Sequence, residues 1–326
     1  MLGEALKRHQ AGRLDEAALL YRKILGFDPT HADTLYLLGM VVLGQGQAHA
    51  AADLTRKAIA LRGGQAGYHF QLGAALQTLG DMEGALDSYR RSLALKPEDP
   101  DTFNNMGNVL AALGKPDEAE SLFRRALALQ PRNAVAHCSL GAVQWHRRDI
   151  DAAEASFREA VALDHGYAAA IVNLGNVHRE KGRLNQAETC YRRAVALEPH
   201  SAGTQGSLGL VLWDLGRHEE AMRHYRRALE CDPAHVETLA NLGLALWDQG
   251  ALDEAEAMFA RALSLRPADT GLLNNSAALL MARGKGAAAM EMIRRSLAVQ
   301  ETARAKRLFV DLASLSGWNG ASEEIR

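Results

Sequence analysis

The sequence predicts an all-α fold, a solenoid of antiparallel helix pairs stacked one on the next. Two recurrences carry that expectation. Stepping by 34 residues from Gly175 reaches Gly39, Gly73, Gly107, Gly141, Gly209 and Gly243, with Ala5 and Ala277 at the two ends of the series. The same step from Ala187 reaches Ala17, Ala51, Ala85, Ala119, Ala153, Ala221, Ala255 and Ala289. Small residues held at a fixed period of this length are the signature of a repeat architecture.

Each element follows from one unit. A first helix carries the glycine and ends at a second glycine, seen as Gly12, Gly46, Gly80, Gly114, Gly182, Gly216, Gly250 and Gly284, with Arg148 breaking the series. Glycine there suits the left-handed residue that closes a helix. A second helix over 184–197 places Ala187, Cys190, Tyr191, Ala194 and Leu197 on one face, and Pro199 stops it. Tyr191 recurs as Tyr21, Tyr89, Phe123, Phe157, Tyr225 and Phe259, with Thr55 and Ile293 as exceptions. A glycine inside a helix costs about 1 kcal/mol relative to alanine. Close packing explains why the chain accepts it: Gly175 and Ala187 let the two helices approach, and the Tyr191 ring fills the space beside them.

The first repeat occupies residues 1–31. Later repeats begin at Ala32, Ala66, Pro100, Ala134, Ala168, Ala202, Val236 and Thr270. Asp99 is placed to cap the helix that Pro100 opens, and Pro116 also sits at a helix start. The second repeat is irregular, with Thr55 in place of the ring and Gly63 in place of proline. Residues 304–317 leave the pattern, and Leu308, Phe309, Leu312 and Leu315 suit a helix covering the ninth repeat. Gly317 ends it, and 318–326 read as a linker or the start of a following element, with Ser322 as an N-cap.

Small, small, aromatic and proline at these offsets resemble the tetratricopeptide repeat family over residues 1–303. The resemblance implies one right-handed superhelix of about nine units, with first helices lining a concave groove and second helices forming the outer wall. It also implies binding of proteins or peptides. Long bacterial-looking arrays of this family are often fused to a glycosyl-, methyl- or sulfotransferase domain, so a substrate-recognition arm of a larger transferase is the alternative expectation. The chain stops one turn into a helix at Arg326, which favours that alternative.

Composition excludes several classes. With 37 basic and 39 acidic residues the net charge is −2, so neither nucleic acid nor an anionic membrane is an expected partner. The three cysteines share no offset, which argues against a disulfide framework or a zinc site. No signal peptide precedes Ala5 and no apolar run approaches the ~20 residues of a membrane span, so a cytoplasmic protein is expected. No phosphate loop, GxSxG or HExxH is present, and the 12 histidines are scattered. No enzyme activity, cofactor or metal is expected.

The candidate binding residues lie on first helices. Two positions before the repeating glycine stand Asn105, Asn173, Asn241 and Asn275; one after it stand Asn108 and Asn176; four after it stand Trp145, Trp213, Trp247 and, in the sixth repeat, Arg179. An asparagine amide offers donors and an acceptor to an extended peptide backbone, and tryptophan suits an interface hot spot. Both series also suit hairpin packing. The asparagine series resembles the ladder in the superhelical arm of the O-linked N-acetylglucosamine transferases, where it holds substrate polypeptide. Leu37, Gln71, Ser139 and Ser207 interrupt it here. The expected site is centred on repeats five to eight, with self-association also allowed. Arginine pairs such as Arg226-Arg227 are expected on the outer wall, offset by acidic neighbours.

Overall fold

The computed structural model describes residues 1–315, and these hold nineteen helices and no strand. The expected helix end at Gly317, the N-cap at Ser322 and the side chain of Leu315 lie outside the described residues. By internal contacts the chain divides into two units, residues 1–165 and 166–326.

The first unit contains α1 (Leu2–Gln10), α2 (Leu14–Phe27), α3 (Ala32–Gly44), α4 (Ala48–Leu61), α5 (Ala66–Thr78), α6 (Met82–Leu95), α7 (Pro100–Ala112), α8 (Pro116–Leu129), α9 (Ala134–His146) and α10 (Ile150–Leu163). The second contains α11 (Ala168–Glu180), α12 (Leu184–Leu197), α13 (Ala202–Asp214), α14 (His218–Cys231), α15 (Val236–Asp248), α16 (Leu252–Leu265), α17 (Thr270–Ala282), α18 (Gly286–Val299) and α19 (Ala303–Leu315). Consecutive helices pair into hairpins. Successive first helices also touch, α3 to α9 in the first unit and α11 to α17 in the second, so each unit presents a face built from first helices.

The turns have a local cause. The eight recurring glycines at first-helix ends all have φ between 69° and 80°. In the sixth hairpin Arg183 N–H bonds His178 C=O at 2.8 Å and Gly182 N–H bonds Arg179 C=O at 2.9 Å, which satisfies carbonyls the helix leaves open. Arg148, at φ 66°, takes the same conformation with a side chain, at a cost of about 1–2 kcal/mol. Asp99 caps α7 by accepting Thr102 N–H at 3.1 Å.

The mid-helix glycines are explained by the rings. A Cβ on Gly175 would lie 2.8 Å from the Tyr191 ring, and one on Gly107 2.7 Å from Phe123. Gly73, Gly141, Gly209 and Gly243 meet Tyr89, Phe157, Tyr225 and Phe259 in the same way. Every one of these rings is buried. The ninth hairpin reverses the sizes: Ala277 replaces glycine and Ile293 replaces the ring, both fully buried.

The irregular second hairpin has a structural cause that its own residues do not reveal. Thr55 turns back to donate to Ala51 C=O at 2.7 Å. The vacated space is entered from the next hairpin by Gln71, whose Nε2 lies 2.6 Å from where a Gly39 Cβ would stand. Gln71 is buried and its amide has no hydrogen-bond partner among the described residues. A buried unpaired amide costs about 1–3 kcal/mol. Thr55→Phe alone should therefore collide with Gln71 and destabilise the protein, whereas Thr55→Phe with Gln71→Ala should stabilise it by about 1–2 kcal/mol. Urea unfolding of the single and double variants checks the sign.

The outermost hairpins are finished differently. On α1, Glu4 and Arg8 hold positions that are Leu38 and Val42 one repeat later, and they pair at 2.8 Å. At the other end α19 packs Phe309 and Leu312 against Ala277, Leu280, Ala289 and Ile293. Among the described residues no helix is long and apolar enough to cross a membrane.

Candidate functional site

In the second unit the first-helix face carries two adjoining concavities. One, of about 470 Å³, lies between α13 and α15 and is lined by Gly203, Gly206, Ser207, Leu210, His235, Glu237, Thr238, Ala240 and Asn241. The other, of about 320 Å³, lies between α11 and α13 and includes Val172, Asn173, Ser201, Gly203 and Ser207. Asn173 and Asn241 thus share one helical face of the unit. Glycine keeps this floor low: a Cβ on Gly206 would meet Thr238 Oγ1 at 2.6 Å, so the α13 backbone lies close against α15. His235 accepts Thr238 N–H at 3.3 Å through Nδ1, which leaves the ring proton on Nε2.

A polar cluster stands at the other end of the same helices. Tyr191 donates its hydroxyl to Asn176 Oδ1 at 2.6 Å, with the Arg179 guanidinium near enough to act on it electrostatically. Burial, opposed by Arg179, pushes the Tyr191 hydroxyl up to about 12, so it stays a neutral donor. Arg179 pairs with Asp214 at 3.4 Å. The structure therefore gives Asn176 and Arg179 partners within the chain. Trp213 and Trp247 are half-buried against the hydrophobic cluster of this unit, and the Trp213 ring meets His218 edge-on at 4.2 Å. Each tryptophan therefore contributes both to packing and to surface. Asn275 accepts from Arg304 of α19 at 2.8 Å.

The first unit holds the remaining candidates. A concavity of about 350 Å³ between α7 and α9 is lined by Asn108, Ala111, Ala112, Phe123, Cys138, Ser139, Ala142, Val143 and His146. Asn105 acts on the Tyr89 hydroxyl from nearby, and that hydroxyl donates to Gln77 at 2.9 Å. Trp145 is half-buried. Gln71, which shares the offset of the asparagine series, is turned into the hairpin interior instead.

Residue periodicity did not single out Gly203, Gly206, Leu210 or His235. The signal was available: α13 carries three glycines in thirteen residues, and only Gly209 belongs to the repeat. The outer arginines are engaged as charge balance suggested. Arg124 pairs with Glu120 at 2.6 Å, Arg192 with Glu188 at 2.6 Å and Arg227 with Glu230 at 2.9 Å. Among the described residues no group of three or more His, Cys, Asp or Glu side chains is placed to hold a metal ion.

Comparison with known proteins places this architecture. Family models match in overlapping segments: anaphase-promoting complex, cyclosome, subunit 3 over 10–92; a TPR repeat model over 78–114; the middle TPR-like domain of cilia and flagella-associated protein 70 over 111–215; and two tetratricopeptide repeat models over 200–268 and 246–312. The chain is a tetratricopeptide repeat protein. No curated protein matches the sequence. Among solved structures it is similar to a chain of the APC/C hetero-tetramer Cut9–Hcn1, with a TM-score of 0.69 and 18% identity over 92% of this chain and 59% of that one. It is also similar to PilF of Pseudomonas aeruginosa, with a TM-score of 0.56 and 19% identity over 64% of this chain and 94% of that one. At such identities the likeness is one of fold.

Proposed function

We propose that this chain is a non-catalytic scaffold that holds an extended polypeptide segment on the first-helix face of its second unit. The observation that carries the reading is the shared floor of α11, α13 and α15, where Asn173 and Asn241 flank a low surface of glycine, serine and Leu210. Asparagine amides match the alternating donors and acceptors of an extended backbone. The low floor admits that backbone, and the half-buried Trp213 and Trp247, further along the same helices, offer apolar area. Protein binding fits the family, and the balanced charge gives no footprint for nucleic acid.

The test is a selection of displayed random decapeptides on the immobilised full chain, followed by fluorescence anisotropy with the tightest synthetic peptide. Asn173→Ala with Asn241→Ala should weaken binding about tenfold, the worth of one to two neutral hydrogen bonds. Arg226→Ala with Arg227→Ala should leave affinity within about twofold, since exposed ion pairs contribute little. A peptide lost by the arginine pair and kept by the asparagine pair moves the site to the second-helix wall and overturns the proposal.

A further inference from the structure

In the second unit, successive second helices are tied together by charge at two junctions and not at the one between them. Where α12 meets α14, Arg217 pairs with Glu188, and Arg192 pairs with Glu220 at 2.9 Å. Where α16 meets the start of α18, Lys285 pairs with Glu256 at 2.8 Å, at the offsets of Arg217 and Glu188. Between α14 and α16 both members of this clamp are missing. Met222 stands one repeat after Glu188 and Ala251 one repeat after Arg217, and both join the hydrophobic cluster of the unit instead. Among the described residues no ion pair crosses this junction.

The missing clamp leaves two charges over. Arg192 is held by Glu188 one turn before it at 2.6 Å, whereas Arg226, at the same offset, has Met222 there. Glu220 takes Arg192 and Arg217, whereas Glu254, at the offset of Glu220, takes neither. Arg226 and Glu254 are exposed, and neither has an ion pair or hydrogen bond among the described residues. They stand on the α14 and α16 walls of a concavity of about 410 Å³. Its apolar lining is Leu229 of α14, Leu242 and Leu246 of α15, and Met258 of α16. The other rim charges are engaged: Arg261 donates to Pro233 C=O at 3.0 Å, and Glu230 accepts from Arg227 at 2.9 Å.

We propose that this open junction of the second-helix wall docks an amphipathic helix of a partner protein. One large apolar side chain enters the hole, an acidic residue on one flank meets Arg226, and a basic residue on the other flank meets Glu254. Four apolar side chains from three helices make the kind of hole that receives one knob of a packed helix, and flanking charges of opposite sign fix its orientation as e and g residues do in a coiled coil. The lining selects this occupant. No side-chain amide or hydroxyl is present to bond an extended backbone, whereas a helix arrives with its own backbone groups bonded. A second copy of the same patch would set concavity against concavity and leave the hole empty. The site is separate from the first-helix face and does not rest on the reading of that face.

The probe is a displayed library of alanine- and glutamine-based peptides of about 20 residues, long enough to be helical alone, with one central position and its two flanks randomised. Selection on the immobilised full chain should enrich leucine, methionine or phenylalanine at the centre, with one acid and one base on the flanks. In anisotropy titrations of the tightest helix, alanine at its centre should weaken binding about tenfold or more. Arg226→Glu with Glu254→Arg should weaken it about tenfold, and a helix with its flank charges exchanged should recover the native affinity on that variant. Met222→Glu with Ala251→Arg rebuilds the clamp of the neighbouring junctions, engages Arg226 and should also weaken binding about tenfold. Thermal melts show whether that variant is folded, and the charge exchange, confined to exposed residues, decides without it. Asn173→Ala with Asn241→Ala should leave the helix affinity within about twofold. A selection that enriches no helix, an affinity indifferent to the charge exchange, or a helix lost by the asparagine pair overturns the docking surface, and each leaves decapeptide binding on the first-helix face to its own test.

Discussion

Replacing Phe259 by alanine should destabilise the second unit by about 3–5 kcal/mol, the usual cost of emptying a buried aromatic site. The ring is fully buried and lies where a Gly243 Cβ would stand, 2.9 Å from its Cε1. The more telling result is the coupling. Gly243→Leu in the native background should overpack the hairpin and cost about 1–3 kcal/mol. In the Phe259→Ala background the same leucine fills space the ring has left, so the double variant should be more stable than Phe259→Ala alone. Ala277 with Ile293 in the ninth hairpin is a natural instance of this trade. Urea unfolding followed by far-ultraviolet circular dichroism gives the four stabilities of the cycle. Strict additivity would show that ring and glycine are independent, contrary to the packing described above.

Trp213→Ala with Trp247→Ala should weaken binding of the selected decapeptide by more than about thirtyfold, because an aromatic hot spot contributes about 2 kcal/mol or more. Both rings rest on the hydrophobic cluster of the second unit, so the pair should also lower the thermal midpoint. Anisotropy titrations at a temperature where the variant is fully folded separate the two effects. An affinity unchanged at that temperature would make the tryptophans packing residues only and confine the binding surface to the floor between α11, α13 and α15. Phenylalanine at both positions should recover most of the stability through its apolar area, without the indole N–H donor.

How much of the site was legible depended on whether a residue's role repeats. The asparagine series was visible at one offset, yet its members fare differently. Asn241 lines a concavity, Asn275 is taken by Arg304, and Gln71 at the same offset turns inward. In each case the deciding atom belongs to another helix: α19 for Asn275, and the empty place beside Thr55 for Gln71. Asn108 and Asn176 are indistinguishable by offset, and a hydroxyl fifteen residues further on separates them.

The sequence by itself determined the helix pairs, their starts at Ala32 through Thr270, the glycine turns and the buried face of each second helix. Those features rest on interactions within one hairpin, where backbone propensity, left-handed glycine and 3.6-residue periodicity act over a few residues. Only the tertiary structure decided which polar groups on the first-helix face are already satisfied and where its floor is low. Gly206 reads as an unremarkable helix-weakening residue until Thr238 of α15 is seen against it. Hydrogen-bond satisfaction and close approach are properties of pairs of helices, and a one-dimensional repeat carries no record of which neighbour reaches across.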